Sequence, residues 1–281
     1  MSFSTVSLEQ VKKYWDERPC NIRHSPREVG SKEYFDEVEA RKYFVEYHIP
    51  PFAEFERWAG KRVLEIGCGI GTDTINFARA GASVTAVDLS DESLKIARRR
   101  AEIFDLAKSV DFRRADAENL SEVIPPEPYD LVYSFGVIHH TPHPERVLDQ
   151  VRNNYVRSHS IVKVMIYNRN SWKVLSILLG YGKGQFWKLD QVVAKHSEAQ
   201  SGCPITYTFS PKQARRLFAA HGFPDVAIQI DHIFPYRVRD YIQYRYEKQL
   251  HWKLVPQSVF RWLEKSVGWH LCITAGPLDA G

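Results

Sequence analysis

No apolar run in this sequence approaches the roughly 20 residues that a membrane-spanning helix needs. Its first residues, MSFSTVSLEQVKKYWDE, lack the basic-then-apolar layout of a secretory signal. No membrane partner is expected, and the cytoplasm is the expected compartment. Cysteine is scarce: Cys20, Cys68, Cys203 and Cys272 lie far apart with no CxxC pair, a distribution that gives neither a zinc ribbon nor a disulfide framework. Charge of one sign is scarce as well. A formal net charge of +4 over 281 residues, with no Lys/Arg tract, offers no electrostatic footprint for a nucleic-acid partner. Internal repeats and low-complexity linkers are absent.

What is present is an alternation. From about Pro51 the chain reads KRVLEIG, SVTAVDLS, VDFRRAD, YDLVYSFGV and SIVKVMIYN as strands, separated by the helical patterns TDTINFARAGA, DESLKIARRRAEIF and PERVLDQVRNNYV. Helices of this length between strands imply right-handed crossovers and a doubly wound, mainly parallel sheet covered on both faces. After Tyr167 the alternation stops over 168–209. It resumes with SPKQARRLFAAHG, a helix with Ser210 as N-cap, Pro211 in the first turn and Gly222 past its end. FPDVAIQIDHI and WHLCITAGP supply a sixth and a seventh strand around a helical, aromatic and basic segment, 234–268. The division expected is an N-terminal helical cap (1–50), a core (51–167), a lid insertion (168–209) and the rest of the core (210–281).

The densest signal is VLEIGCGIGTD, Val63 to Asp73, between the first strand and its helix. Glycines at Gly67, Gly69 and Gly71 admit positive φ and let a ligand lie against bare main chain. In an open α/β sheet this loop sits in the crevice at the carboxyl ends of the strands. A dinucleotide-binding loop reads GxGxxG, its third glycine letting the helix pack; here that position is Thr72 and the glycines run GxGxG, and Glu65 before the loop would repel a pyrophosphate. Both features count against a nicotinamide oxidoreductase. Taken alone, the glycine loop is a weak signal, Asp88 could be a helix cap and Asp116 a solvated strand end. Together they fall at three successive strand ends in order.

EIGCGIGT after the first strand, VDLS ending the second, AD ending the third and SFGVIHH after the fourth resemble the class I S-adenosylmethionine-dependent methyltransferases of the type 11 and UbiE-like small-molecule group. The resemblance covers roughly 60–167 and 210–275, and departs at VRSHSIVK, where the family usually writes a Leu-Lys-Pro-Gly-Gly turn on the side away from the cofactor. It implies the Rossmann-like methyltransferase fold, a seven-stranded sheet with helical lid insertions, and S-adenosyl-L-methionine as cofactor with S-adenosyl-L-homocysteine as product. Glu65, Gly67, Cys68, Gly69, Gly71, Thr72 and Asp73 would serve the methionine part, whose sulfonium and ammonium groups an acidic side chain attracts. Asp88 would accept from the ribose hydroxyls with Ser90 beside it, Asp116 with Ala117 would hydrogen-bond the adenine amino group next to Glu118, and Leu89 would pack on the adenine ring. Ser134, Phe135 and Gly136 complete the set at the fourth strand end.

Methyl transfer needs alignment, and a base only where the nucleophile carries a proton. His139 and His140 stand at the fourth strand end, and in related cyclopropane-type enzymes the residue matching His139 is an active-site glutamate. His139 is thus the first candidate for base or acceptor positioning, with His140, Tyr14 and Tyr167 beside it. The plain alternative is that one histidine caps a helix and the other packs. HHTPH has no carboxylate or cysteine nearby and Pro142 breaks helical spacing, so no metal is expected. The N-terminal cap, the insertion after the fifth strand and 234–268 all rise on the cofactor side. Their aromatics, Trp15, Tyr34, Tyr43, Tyr47, Tyr236, Tyr241, Tyr244 and Tyr246, are candidates to line a pocket for a flat or amine-bearing small molecule, or else are lid core. The function expected is methyl transfer to nitrogen or oxygen of such a molecule. Carbon methylation, RNA or protein methylation and a non-catalytic S-adenosylmethionine-binding protein are the alternatives. SFGV in place of an Asn/Asp-Pro-Pro-Tyr/Phe motif weakens a nucleic-acid substrate.

Overall fold

The computed structural model describes residues 3, 6–182, 186–197 and 203–276. Parts of the expected lid insertion, 183–185 and 198–202, lie outside the described residues, as do 1, 2, 4, 5 and 277–281. The seven strands are β1 (Arg62–Ile66), β2 (Ser83–Asp88), β3 (Val110–Arg114), β4 (Leu131–Phe135), β5 (Ile161–Tyr167), β6 (Val226–Asp231) and β7 (His270–Ala275). They form one sheet in the order β3-β2-β1-β4-β5-β7-β6. β7 runs antiparallel to both neighbours; every other pairing is parallel.

Burial follows position in the sheet. Every residue of the interior strand β5 is buried, because helices cover both faces, whereas the edge strands β3 and β6 are partly exposed. Alternate side chains feed two cores. Leu64, Val132, Val164 and Phe218 pack on one face; Val63, Leu131, Tyr133 and Met165 pack on the other.

The helices are α1 (Leu8–Glu17), α2 (Lys32–Val45), α3 (Ile49–Ala53), α4 (Thr72–Arg79), α5 (Asp91–Ile103), α6 (Pro144–Gln150), α7 (Trp172–Tyr181), α8 (Leu189–His196), α9 (Pro211–Ala220), α10 (Val238–Tyr241), α11 (Leu250–Leu254) and α12 (Gln257–Val267). Their starts are written in the sequence. Ser90 caps α5 by accepting from Ser93 N, and Ser210 with Gln213 forms a capping box ahead of Pro211 on α9. The helix read over PERVLDQVRNNYV is α6 followed by a π turn, Val151–Tyr155, that seats the buried Tyr155 with its hydroxyl on Ile124 O. After β5, α7 and α8 pack together, and in 203–209 Tyr207 N donates to His139 O and Phe209 N to Tyr167 O. No helix among the described residues is long and apolar enough to cross a membrane.

Candidate active site

Strand order reverses between β1 and β4, so a crevice opens above their carboxyl ends. A cleft sits there, with roughly 1000 Å³ of atom-free space including its mouth, enough for a nucleoside-sized ligand. The glycine loop forms its floor. Gly67 and Cys68 donate to Val87 O, and Gly69 N donates to Asp88 Oδ2 at 2.8 Å, so the loop is tied to the end of β2. Gly67 has φ +79°, and a Cβ there would lie 2.1 Å from Val137 Cγ2. No larger residue fits without moving β4's continuation.

Gly67, Cys68, Gly69 and Thr72 line the cleft; Glu65, Gly71 and Asp73 do not. Glu65 is buried and accepts from Thr74 Oγ1 at 2.5 Å. Burial, with Asp73 alongside, pushes its carboxyl up to about 8. Asp73 turns away from the loop to accept from Lys42 Nζ (2.7 Å), Tyr43 OH (2.9 Å) and Tyr133 OH (3.0 Å). Lys42, which no motif marks, lines the cleft. Burial alone would lower its amine, but Asp73 and Glu46 overcome that and hold it above its ordinary value.

At the next strand ends, Asp88, Leu89, Asp116 and Ala117 reach the cleft; Ser90 and Glu118 do not. Asp88 accepts from Gly69 N and Ser90 N, and burial raises its carboxyl against those two bonds. Asp116 accepts from Glu118 N and Asn119 Nδ2, capping a 3₁₀ turn. Ser90 Oγ donates to Trp15 O, which pins α1 over the cleft, and Glu118 accepts from His143 N. Leu8, Val11 and Trp15 of α1 close the cleft from above.

The β4 end separates its residues sharply. Phe135 and Gly136 line the cleft, while Ser134 Oγ is spent on Ile66 O within the sheet. His139 and His140 share a 3₁₀ turn, Ile138–His140, and successive residues of such a turn point about 120° apart. Only His140 reaches the cleft. Its Nδ1 is 2.6 Å from Ile205 O, and a carbonyl only accepts, so the proton is on Nδ1 and the lone pair on Nε2. His139 is buried with its ring centroid 3.9 Å from that of Tyr167, and neither of its nitrogens has a partner among the described residues. Burial, then His140 and Lys173, drives it well below the ordinary imidazole value, so it is neutral. Tyr167 stacks on Trp269 at 4.1 Å and is not part of the cleft lining. Tyr14 also stays outside, beside Trp15.

Of the aromatic pocket candidates, Trp15 lines the cleft and the tyrosines do not. Tyr34 is fully buried with its hydroxyl on Ile22 O, Tyr43 bonds Asp73, and Tyr47 donates to Glu264. Tyr241, Tyr244 and Tyr246 surround Arg41, whose guanidinium lies 4.0, 4.5 and 5.8 Å from their rings. The cation that these rings hold is the protein's own, which is why the cage is not available as a pocket wall. Val137, Thr141 and Pro142 complete the cleft from within SFGVIHHTPH; Cys20 and Asn21 join from the loop after α1, with no signal in the sequence.

A seven-stranded sheet in this order with an antiparallel β7, carrying a glycine loop at the end of β1, is the Rossmann-like fold of the class I S-adenosylmethionine-dependent methyltransferases. Residues 63–155 match the methyltransferase domain family. The chain is 34% identical over 122 residues to a ubiquinone biosynthesis O-methyltransferase of Dechloromonas aromatica, a match covering 43% of this chain and 51% of that protein. The chain spans about half the length of the curated relatives it matches. Among solved structures it is similar to magnesium protoporphyrin IX methyltransferase of Synechocystis, at a TM-score of 0.60 and 16% identity over 96% of this chain and 99% of the other. It is also similar to a phosphoethanolamine N-methyltransferase of Haemonchus contortus, at 0.58 and 18% over 98% and 61%. At such identities the likeness is one of fold.

Proposed function

We propose that the chain binds S-adenosyl-L-methionine in the cleft and transfers its methyl group to nitrogen or oxygen of a small, aromatic or amine-bearing acceptor. The observation that carries this reading is the meeting of Gly67, Asp88 and Asp116 in one cleft at three successive strand ends. The residues fit the cofactor. Gly67 leaves room that a Cβ would fill, Asp88 is an acceptor-only carboxylate next to the loop, and Leu89 and Trp15 offer apolar faces. When bound, the sulfonium supplies an electrophilic methyl carbon. The protein's part is alignment: the loop and α1 hold one side, and Phe135, His140 and Thr141 bound the other.

An acceptor O–H or N–H must lose a proton as its new bond to carbon forms. His140 is the residue placed to take it, because its Nδ1–H is bound to Ile205 O and its Nε2 carries the lone pair. His139 supports it from behind. Oxygen methylation draws support from the likeness to ubiquinone biosynthesis O-methyltransferases. The test is incubation of the protein with methyl-labelled cofactor and fractionated cell extract. Label in a low-mass fraction supports the reading; label confined to RNA or protein replaces the acceptor class; no transfer anywhere favours a binding protein.

A further inference from the structure

The ends of β6 and β7 and the turn after α2 bring a second cluster together, in contact with Phe135 but built from other residues. One carboxylate oxygen of Glu46 and one ring nitrogen each of His232 and His270 lie within 4.8 Å of one another. His270 Nε2 is 3.8 Å from Glu46 Oε1, and on its other side His270 Nδ1 is 2.9 Å from His48 Nε2. The three histidines are each more than nine-tenths buried. Nδ1 of His48 and Nδ1 of His232 have no hydrogen-bond partner among the described residues. Folded proteins rarely leave buried imidazole nitrogens unbonded, and here two stand in one cluster. His232 is also held at φ +72°, a backbone state that a non-glycine residue seldom adopts.

We propose that Glu46, His232 and His270 form a site for a divalent first-row transition metal, with His48 holding His270 in the tautomer that presents Nε2. Two imidazoles and one carboxylate are the donor set of zinc sites that keep an open position and of non-haem ferrous sites. An outer partner on the second ring nitrogen, as His48 is to His270, is the usual companion of a ligating histidine. Burial keeps His232 and His270 well below the ordinary imidazole value and lowers His48 to about 4, so all three are neutral near pH 7, as ligation requires. Donors on a tetrahedral ion with bonds of about 2.0–2.1 Å stand roughly 3.4 Å apart, so the Glu46–His270 pair must close by roughly half an ångström. Glu46 can make that move because its side chain is 22% exposed.

Other charges face the cluster. Lys173 and Lys42 oppose a cation, and Lys265 is paired with Asp231. Asp231, buried and with Oδ1 lacking a partner among the described residues, offsets them. The histidines of HHTPH supply none of these donors, and no sequence motif marks the cluster.

The experiment is titration of chelator-treated protein with Co²⁺, followed by its visible ligand-field spectrum, and with Zn²⁺ and Fe²⁺ by calorimetry. It is independent of the cofactor reading, because it needs no turnover. The expected result is one saturable equivalent, with affinity at least tenfold weaker in both His232→Ala and Glu46→Gln and weakened by about tenfold in His48→Ala. Zinc-over-iron or iron-over-zinc preference names the ion. Far-UV circular dichroism confirms folding, and Glu46→Gln, at a partly exposed position, carries the test should His232→Ala not fold. Absence of a saturable site, unchanged affinity in both variants, or loss of the site in the surface variant His251→Ala would overturn the proposal.

Discussion

Over the ends of β1, β2 and β3 the protein meets its cleft largely with backbone and short side chains, among them Gly67, Gly69, Asp88, Leu89, Asp116 and Ala117. Over the ends of β4, β5, β6 and β7 it places large buried rings, among them His139, Tyr167, Trp269, His232 and His270, packed against one another. The first half is an open cradle whose form is set by dihedral angles that only certain residues adopt. The second half is closed and polar inside, and its form depends on which remote side chains meet. A ligand common to a whole family suits the first construction, and an acceptor particular to one enzyme suits the second.

The comparison breaks most visibly at Gly67. Gly67→Ala puts a Cβ into Val137 at a positive φ, and loss of measurable S-adenosylhomocysteine binding is expected by calorimetry; retained affinity would mean the loop is not the cradle. Asp88→Ala removes a charged acceptor from the same half, and binding about 100-fold weaker is expected from the worth of hydrogen bonds to charged groups. Its structural bond to Gly69 makes Asp88→Asn the informative companion, since the amide oxygen keeps that bond while the charge is gone.

On the other half the two histidines separate. His140→Ala should lower methyl transfer at least about tenfold with cofactor affinity kept, the low side of acid–base contributions. His139→Phe should leave turnover intact, because it replaces a ring whose nitrogens have no partner among the described residues with one of similar shape. The reverse pattern would put the base on His139. The smallest effect is a pH dependence. Glu65 binds its proton in the folded state up to about pH 8 but near 4.5 when unfolded, so the folded state holds more protons between those values and stability falls as pH rises through that window. Thermal melts from pH 5 to 8 should show the decline, and Glu65→Gln should flatten it.

The seven strands, their order of helices and the loop at Gly67–Gly71 were legible because each rests on local periodicity and on residue types that force a backbone shape. That Asp88 and Asp116 come to one cleft with the glycine loop followed from strand ends alone. The side chains beyond the β4 end did not. That His140 and not His139 reaches the cleft depends on the phase of a 3₁₀ turn, and Tyr43, Tyr47 and Tyr241 were drawn away by Asp73, Glu264 and Arg41, partners on remote elements. Lys42 and the cluster of Glu46, His48, His232 and His270 likewise exist only once α2, β6 and β7 are packed.

The most direct measurement is calorimetric titration of the protein with S-adenosylhomocysteine and, separately, with NADH. Saturable binding of the first at one site per chain, lost in Gly67→Ala and with no heat from the second, is the predicted result. NADH binding without S-adenosylhomocysteine binding would contradict the account of the cleft and return VLEIGCGIGTD to a dinucleotide.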